Sequence, residues 1–187
     1  MRVVRPGENA PREADIAVAG EKFAEIGPNL PAEAKTLYDG KGRLAFPGVV
    51  DAHMHAGIYA PLNEDAVSES RAAAQGGVTS SLNYFRSGQY YLNKGGPYRD
   101  FFPEVLRLSQ GRFHVDYGYH LAPMDATHIG EIPELIERHG VTSFKIFMFY
   151  GSHGLHGRSD SQRDFLMQLI RDGGLVPHLE KRLRTTS

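Results

Sequence analysis

Short apolar segments alternate with helix-length amphipathic segments from Val49 onward, and this alternation constrains the fold more than any other feature. Alternation of this kind is typical of βα units that build a parallel sheet. It predicts strands at 49–55, 78–85, 113–121, 141–150 and 175–179. It predicts helices at about 64–75, 99–108, 131–138 and 162–171. Five strands and four helices fit either a doubly wound sheet or part of a (β/α)8 barrel, and periodicity does not separate the two.

The first 48 residues follow a different pattern, in which short strand-like segments are separated by turns. Segments 16–19 and 23–26 flank a Gly-Glu-Lys turn and predict a β-hairpin. A second pair of strands, 36–38 and 43–46, is predicted around another turn. We therefore expect two domains, an N-terminal β module at 1–48 and a βα region at 49–187.

The composition argues against several classes of protein. The 187 residues include 21 basic and 22 acidic side chains, so the balance of charge favours neither nucleic acid nor an anionic membrane as a partner. The chain has no cysteine, so any metal would depend on carboxylates and on the nine histidines. The N-terminus lacks the apolar core of a signal peptide, and no apolar run is long enough to span a bilayer. These features predict a cytoplasmic protein and permit a small, neutral substrate.

The first predicted strand of the βα region ends in a cluster of polar side chains. Asp51, His53 and His55 occupy alternate positions and so share one face of the strand. Two imidazoles at this spacing can hold one divalent cation, and barrel enzymes place their chemistry at the C-terminal ends of strands. The alternative is a buried strand with hydrogen-bonded core histidines. The preceding apolar run and Asp51 favour the metal site.

The fourth predicted strand is almost wholly apolar but contains Lys145. Burial of an isolated ammonium is costly, so such a lysine reaches solvent, pairs with a carboxylate, or loses its charge. A neutral amine can add carbon dioxide to form a carbamate, whose two oxygens could bridge two metals. Taken alone, the residue favours a lysine that reaches solvent.

Three motifs in order along the chain resemble those of the cyclic amidohydrolases. Residues 47–55 are Pro-Gly-Val-Val-Asp-Ala-His-Met-His, residues 73–79 are Ala-Ala-Gln-Gly-Gly-Val-Thr, and residues 143–150 are Ser-Phe-Lys-Ile-Phe-Met-Phe-Tyr. The resemblance covers about 15–180 and is greatest to the hydantoinase and dihydropyrimidinase group. It implies a (β/α)8 barrel, preceded by a small β-sandwich module, that hydrolyses C–N bonds in cyclic amides such as hydantoins and dihydropyrimidines.

The resemblance also implies roles for individual residues. His53 and His55 would hold one metal, and His178, on the fifth strand, would bind a second. Lys145 would be N6-carboxylated and would bridge these two divalent ions, which are usually zinc. Tyr150 would bind the substrate and act in catalysis by polarising the scissile carbonyl. The family's nucleophile is a metal-bridging hydroxide, its substrate is a small cyclic amide, and its full-length members are expected to form homo-oligomers.

The length departs from the family pattern, because a (β/α)8 barrel needs about 250 residues. Residues 49–187 hold only about the first five strands, so we expect a partial barrel in a C-terminally truncated chain. The family's later histidine ligand and catalytic aspartate then have no counterpart. A non-catalytic remnant or a dihydropyrimidinase-like scaffold protein is the alternative to an enzyme. Among enzymes, allantoinase and dihydroorotase remain open, although Ala56 and Gly57 stand where dihydroorotases often carry an arginine, which favours an uncharged ring.

Other histidines and aromatic residues receive simpler interpretations. Four histidines have no partner at ligand spacing and are expected to be structural or exposed: His114, His120, His128 and His139. Two more, His153 and His156, lie in a glycine-rich loop that could contact substrate but is equally consistent with a solvated loop. The aromatic run Tyr84, Phe85, Tyr90 and Tyr91 could wall a substrate pocket, but packing in the core and its loops is the favoured expectation.

Overall fold

The structure, a computed structural model, describes residues 1–145 of the chain. These residues belong to two units, Met1–Gly48 and the described part of Val49–Ser187. The predicted helix at 162–171, the predicted strand at 175–179 and residues 146–150 of the predicted strand at 141–150 lie outside the described residues.

The first unit consists of short strands, and its hairpin is confirmed. The strands are β1 (Arg2–Val3), β2 (Arg12–Glu13), β3 (Asp15–Ala19), β4 (Lys22–Gly27) and β5 (Leu44–Ala45). β3 and β4 pair antiparallel around Gly20, whose φ of 62° suits a residue without Cβ. The alternating segments on either side of this turn therefore form the ladder that the sequence predicts.

Of the second predicted pair of strands in this unit, the segment 43–46 does contain a strand, β5, but the predicted pairing is wrong. Residues 36–38 form no strand, and β5 instead pairs parallel with β1 in a sheet of order β2-β1-β5. The backbone N–H of Arg2 donates to the Arg43 carbonyl at 2.9 Å, and that of Val4 donates to the Ala45 carbonyl at 2.9 Å. A pairing between segments about 40 residues apart leaves no local periodicity, which is why the sequence pattern assigned a nearer partner.

The second unit alternates strands and helices as predicted. Its described elements are β6 (Val49–His55), α1 (Leu62–Gln75), β7 (Val78–Phe85), α2 (Tyr98–Ser109), β8 (Asp116–Leu121), α3 (Ala126–Gly130), α4 (Ile132–His139) and β9 (Ser143–Phe144). β6 and β7 have the predicted bounds, and α1, α2 and α4 match to within two residues. The short helix α3, which Asp125 caps by accepting a hydrogen bond from the His128 N–H at 3.0 Å, was not predicted.

The third strand of this unit begins later than the sequence predicts. The expected start was residue 113, whereas β8 begins at Asp116. The His114 N–H donates to Ser70 Oγ on α1 at 2.9 Å, so this part of the backbone is bonded to a helix side chain and not to β7. Phe113 stacks on the Tyr117 ring with centroids 4.2 Å apart.

The sheet of the second unit is parallel throughout its described strands, with the order β6-β7-β8-β9. Each strand lies beside its neighbour in sequence. A doubly wound sheet reverses its order partway, so the usual doubly wound orders do not place four successive strands side by side. Successive order is that of a singly wound (β/α) barrel. The described strands therefore favour the barrel of the two alternatives left open by periodicity.

The core of the second unit lies between this sheet and its helices. α2 contributes a buried aromatic face to it. The Tyr98 hydroxyl donates to the Ala122 carbonyl at 2.6 Å, and the Ala122 N–H donates to the Phe85 carbonyl at 3.1 Å. These two hydrogen bonds tie α2 to the C-terminal ends of β7 and β8. Packing and hydrogen bonds therefore hold the C-terminal ends of these strands in place.

Among residues 1–145, no helix has the length and apolar character needed to cross a bilayer.

Candidate metal centre

Three nitrogen atoms converge at the C-terminal edge of the described sheet. His53 Nε2 and His55 Nε2, both on β6, lie 3.2 Å apart, and the two rings meet edge to face at 4.9 Å. Lys145 Nζ lies 3.2 Å from His53 Nε2, although 92 residues separate them in sequence. The structure therefore brings together His53, His55 and Lys145. Tyr150 and His178, the other residues assigned to this site by resemblance, lie outside the described residues.

Lys145 reaches this edge because β9 pairs with β8. The Lys145 N–H donates to the Leu121 carbonyl at 2.8 Å, so the backbone passes directly beside the end of β8. Its ammonium lies 5.7 Å from the centroid of the Tyr84 ring. The Lys145 side chain is half-buried and contacts a histidine. The residue taken alone predicts a lysine that reaches solvent and does not predict this contact.

Asp51, the third polar residue of the first motif, is bonded to the backbone of His53. The pairing of β6 with β7 shifts register between Asp51 and Met54, which interrupts regular alternation along this strand. The Asp51 carboxylate accepts the His53 backbone N–H at 3.0 Å. Asp51 thus supports the backbone of the strand that carries the histidines.

The donor atoms at this site fit a divalent cation. His53 Nε2 is 3.2 Å from both His55 Nε2 and Lys145 Nζ, yet a ring nitrogen carries only one hydrogen or one lone pair and cannot serve both contacts well. Two nitrogens on one tetrahedral zinc, at about 2.0–2.1 Å from it, lie about 3.3 Å apart. Among residues 1–145, no three His, Cys, Asp or Glu side chains converge to hold an ion. A complete centre would therefore need Lys145 as a carbamate or ligands from beyond residue 145.

The electrostatic environment favours the neutral form of both imidazoles. Partial burial and the nearby Lys145 ammonium lower the pKa of the His53 imidazole, and the Asp51 carboxylate opposes this shift. Partial burial, His53 and Lys145 lower the pKa of His55. Metals bind the neutral ring, so these shifts favour the ligand form of both residues.

His120 lies beside this cluster, and the sequence pattern did not identify it. Its ring meets the His53 ring edge to face at 5.5 Å, and its Nδ1 hydrogen-bonds with Ser143 Oγ. Burial, together with His53 and Lys145, lowers its pKa. The signal that could have found it is register, because His120 pairs with Tyr84 on β7 and with Ser143 on β9 at the same edge of the sheet.

Two buried tyrosines form the wall of the site. The Tyr84 ring lies 5.5 Å from the His53 ring and 5.0 Å from the His55 ring. Tyr91 Oη lies 2.8 Å from His55 Nδ1, within hydrogen-bond distance. Burial raises the pKa of both phenols. Core packing, expected for the aromatic run, is confirmed for Tyr84, Phe85 and Tyr91, whereas Tyr90 is exposed.

Comparison with known proteins finds hydantoinases and allantoinases among the relatives of this chain. No family model matches the chain. It is 34% identical over 143 residues to a D-hydantoinase of Geobacillus stearothermophilus, a match that covers 74% of this chain and 29% of that protein. It is 32% identical over 149 residues to an allantoinase of Bacillus licheniformis, covering 75% of this chain and 31% of that protein.

Solved structures of a hydantoinase and a dihydropyrimidinase have a fold similar to that of this chain. A D-hydantoinase crystal structure superimposes with a TM-score of 0.70 at 27% identity, over 90% of this chain and 35% of the other. A dihydropyrimidinase from Brevibacillus agri superimposes with a TM-score of 0.65 at 24% identity, over 93% and 36%, and supports the fold alone. The chain spans about a third of the length of the relatives that it matches. Together with the histidine pair and the lysine that meet at one sheet edge, these similarities show that the chain belongs to the cyclic amidohydrolases, with hydantoinases and allantoinases among its relatives.

Proposed function

We propose that this chain supplies part of a divalent-metal centre that hydrolyses C–N bonds in small cyclic amides such as hydantoins and dihydropyrimidines. The observation that carries the proposal is the convergence of His53 Nε2, His55 Nε2 and Lys145 Nζ within 3.2 Å contacts. Relatives named D-hydantoinase and allantoinase support the reaction class. Because the chain spans about a third of these relatives, the activity of the whole protein is part of the proposal.

The proposed roles of His53 and His55 follow from their described positions, and those of His178 and Tyr150 follow from the family resemblance. His53 and His55 hold one ion through their Nε2 atoms, and His178 contributes to a second. Tyr150 binds the substrate and donates a hydrogen bond to its carbonyl oxygen. Bound divalent ions supply a water-derived nucleophile at neutral pH and a Lewis acid for the carbonyl, and zinc suits the histidine ligands.

Lys145 changes charge in this proposal. Its ammonium first loses one proton to solvent; the neutral amine then adds to carbon dioxide, a C–N bond forms as one C=O bond becomes a C–O bond, and the nitrogen releases a second proton. A cation is thereby replaced by an anion with two oxygen donors. Carboxylation also removes the ammonium charge next to the two imidazoles. Without carboxylation, the imidazoles would bind a metal cation beside a second cation. N6-carboxylated Lys145 is the residue we propose to bridge the two ions.

The residues after the histidine pair favour an uncharged ring as substrate. Ala56 and Gly57 follow His55 and are buried, so the turn that leaves β6 offers no cation for a substrate carboxylate. We therefore propose hydantoin or a dihydropyrimidine as the substrate class ahead of dihydroorotate.

Metal analysis tests the proposal. The full chain, purified with zinc and bicarbonate, is expected to bind at least one equivalent of zinc. His53→Ala should abolish this binding, whereas His114→Ala, which alters an exposed histidine away from the cluster, should not. Less than one equivalent in the unmodified chain, or binding unaffected by His53→Ala, would contradict the proposal.

Turnover assays separate an enzyme from a non-catalytic relative. Ring opening of hydantoin, dihydrouracil, dihydroorotate and allantoin would be followed with the zinc-loaded chain. Opening of an uncharged ring supports the proposed activity and refutes a scaffold role. Zinc binding without opening of any of the four rings would instead support the scaffold alternative for this chain.

A further inference from the structure

The loop between β7 and α2 places the buried phenol of Tyr91 beside His55, a proposed metal ligand. Tyr91 Oη lies 2.8 Å from His55 Nδ1. The other ring nitrogen, His55 Nε2, faces His53 at 3.2 Å. Tyr91 is therefore on the side of the imidazole opposite to the proposed ion, where it can act on His55 without touching the ion or the substrate.

The backbone around Tyr91 is held in a costly conformation. Tyr90, Leu92 and Asn93 have φ values of 79°, 57° and 52°, in the left-handed region that residues with a Cβ seldom adopt. Such residues are strained and persist only where the surroundings determine their conformation. Two of the three flank Tyr91 directly, so the strain accompanies the insertion of this side chain into the core.

Contacts on several sides hold the Tyr91 ring in place. Its centroid lies 5.3 Å from that of Tyr84 and 5.2 Å from that of Phe85, both edge to face. The Arg86 guanidinium lies 5.2 Å from the same centroid. Only 1% of the residue is exposed. Phenylalanine would satisfy the packing equally well, so packing does not explain the hydroxyl, and its contact with His55 does.

We propose that Tyr91 is a positioning residue that orients His55 by accepting a hydrogen bond from its Nδ1–H. This assignment rests on the proposed function. With the hydrogen on Nδ1, the lone pair of His55 is on Nε2, the nitrogen that faces His53 and Lys145. A partner on the far nitrogen sets the tautomer of a ligand histidine and the direction of its ring. Tyr91 thus selects the form of His55 that can hold an ion.

Zinc affinity provides the first test. Competition titration of the full chain gives Kd for the unmodified protein, Tyr91→Phe and Tyr90→Phe. Tyr90 is the matched control because it is a neighbouring tyrosine that is 51% exposed. Tyr91→Phe should raise Kd about 10-fold or more, which is typical of losing such a partner, and Tyr90→Phe should leave it unchanged. Equal affinities for Tyr91→Phe and the unmodified chain would overturn the proposal.

A second measurement does not depend on zinc. The 15N resonances of the His55 ring in the metal-free chain should shift in Tyr91→Phe and stay in place in Tyr90→Phe. A chain that binds no zinc but shows this shift refutes the proposed function and retains the Tyr91–His55 contact. Identical His55 resonances in the unmodified chain and a folded Tyr91→Phe overturn the contact itself. If Tyr91→Phe does not fold, nuclear Overhauser contacts between the two rings in the unmodified chain decide, and their absence refutes the proposal.

Discussion

The carboxylate of Asp65 on α1 accepts a hydrogen bond of 2.8 Å from the backbone N–H of Gly57. Gly57 is two residues beyond His55, in the turn that leaves β6. Both partners are buried, so water cannot replace the bond easily. The contact joins the first helix of the sheet unit to the strand that carries the histidine pair.

Asp65→Ala should destabilise the chain through the loss of this bond. The Gly57 N–H would remain buried without its acceptor, at a cost of about 1–3 kcal/mol in the free energy of unfolding. Urea denaturation measures the change. Glu69→Ala removes an exposed carboxylate from the same helix and should cost much less. Equal losses in the two variants would show that the bond to Gly57 contributes nothing.

Gly57→Ala should be destabilising for a second reason. Gly57 has φ of 83°, and an added Cβ would lie 3.0 Å from the Leu62 Cβ. Gly111 has a similar φ of 70° with no atom within 4 Å of an added Cβ. Gly111→Ala therefore measures the backbone strain alone. The midpoint of urea unfolding should fall further for Gly57→Ala, and equal midpoints would refute the steric part of the argument.

Glu131→Gln should destabilise the start of α2. The buried Glu131 carboxylate accepts the Tyr98 N–H at 2.8 Å, the Arg99 N–H at 3.0 Å and Arg99 Nε at 3.0 Å. An amide would turn a donor toward these donors, with an expected loss of about 1–3 kcal/mol. Glu134→Gln weakens a surface pair with Arg138 and should cost no more than about 1 kcal/mol. Thermal unfolding of both variants compares them, and a larger loss for Glu134→Gln would contradict the prediction.

Carboxylation of Lys145 can be observed directly. The full chain, incubated with zinc and 13C-bicarbonate, should show a carbamate carbon signal by 13C NMR. Lys145→Arg should remove the signal, because a guanidinium does not form the carbamate. Lys94→Arg, which keeps a cation near Glu104 on the surface, should retain it. A signal that survives Lys145→Arg would place the modification elsewhere.

Features encoded by local sequence were predictable. The bounds of β6 and β7 follow from apolar runs that end in polar residues, and the three longer helices follow from their amphipathic spacing. His53 and His55 were assigned from their spacing at the end of a strand, and parallel strands bring such ends to one edge. Lys145 was assigned only through the family resemblance, because the residue taken alone favours a lysine that reaches solvent.

Features that depend on distant pairing were not predictable. β1 and β5 pair across about 40 residues and leave no periodic signal. His120 joins the cluster through the register of β8, and Tyr91 joins it through a loop in which several residues other than glycine adopt positive φ. Each depends on where separate segments meet, which a single sequence does not reveal.

The contact between His53 and Lys145 joins positions 92 residues apart. An ion shared by these two side chains would close a loop of that length and act as a cross-link between the first and fourth strands of the sheet. Closing a long loop lowers the entropy of the unfolded chain, as a disulfide does. In a chain without cysteine, the metal would then be a stabilising cross-link in this part of the fold as well as its chemical centre.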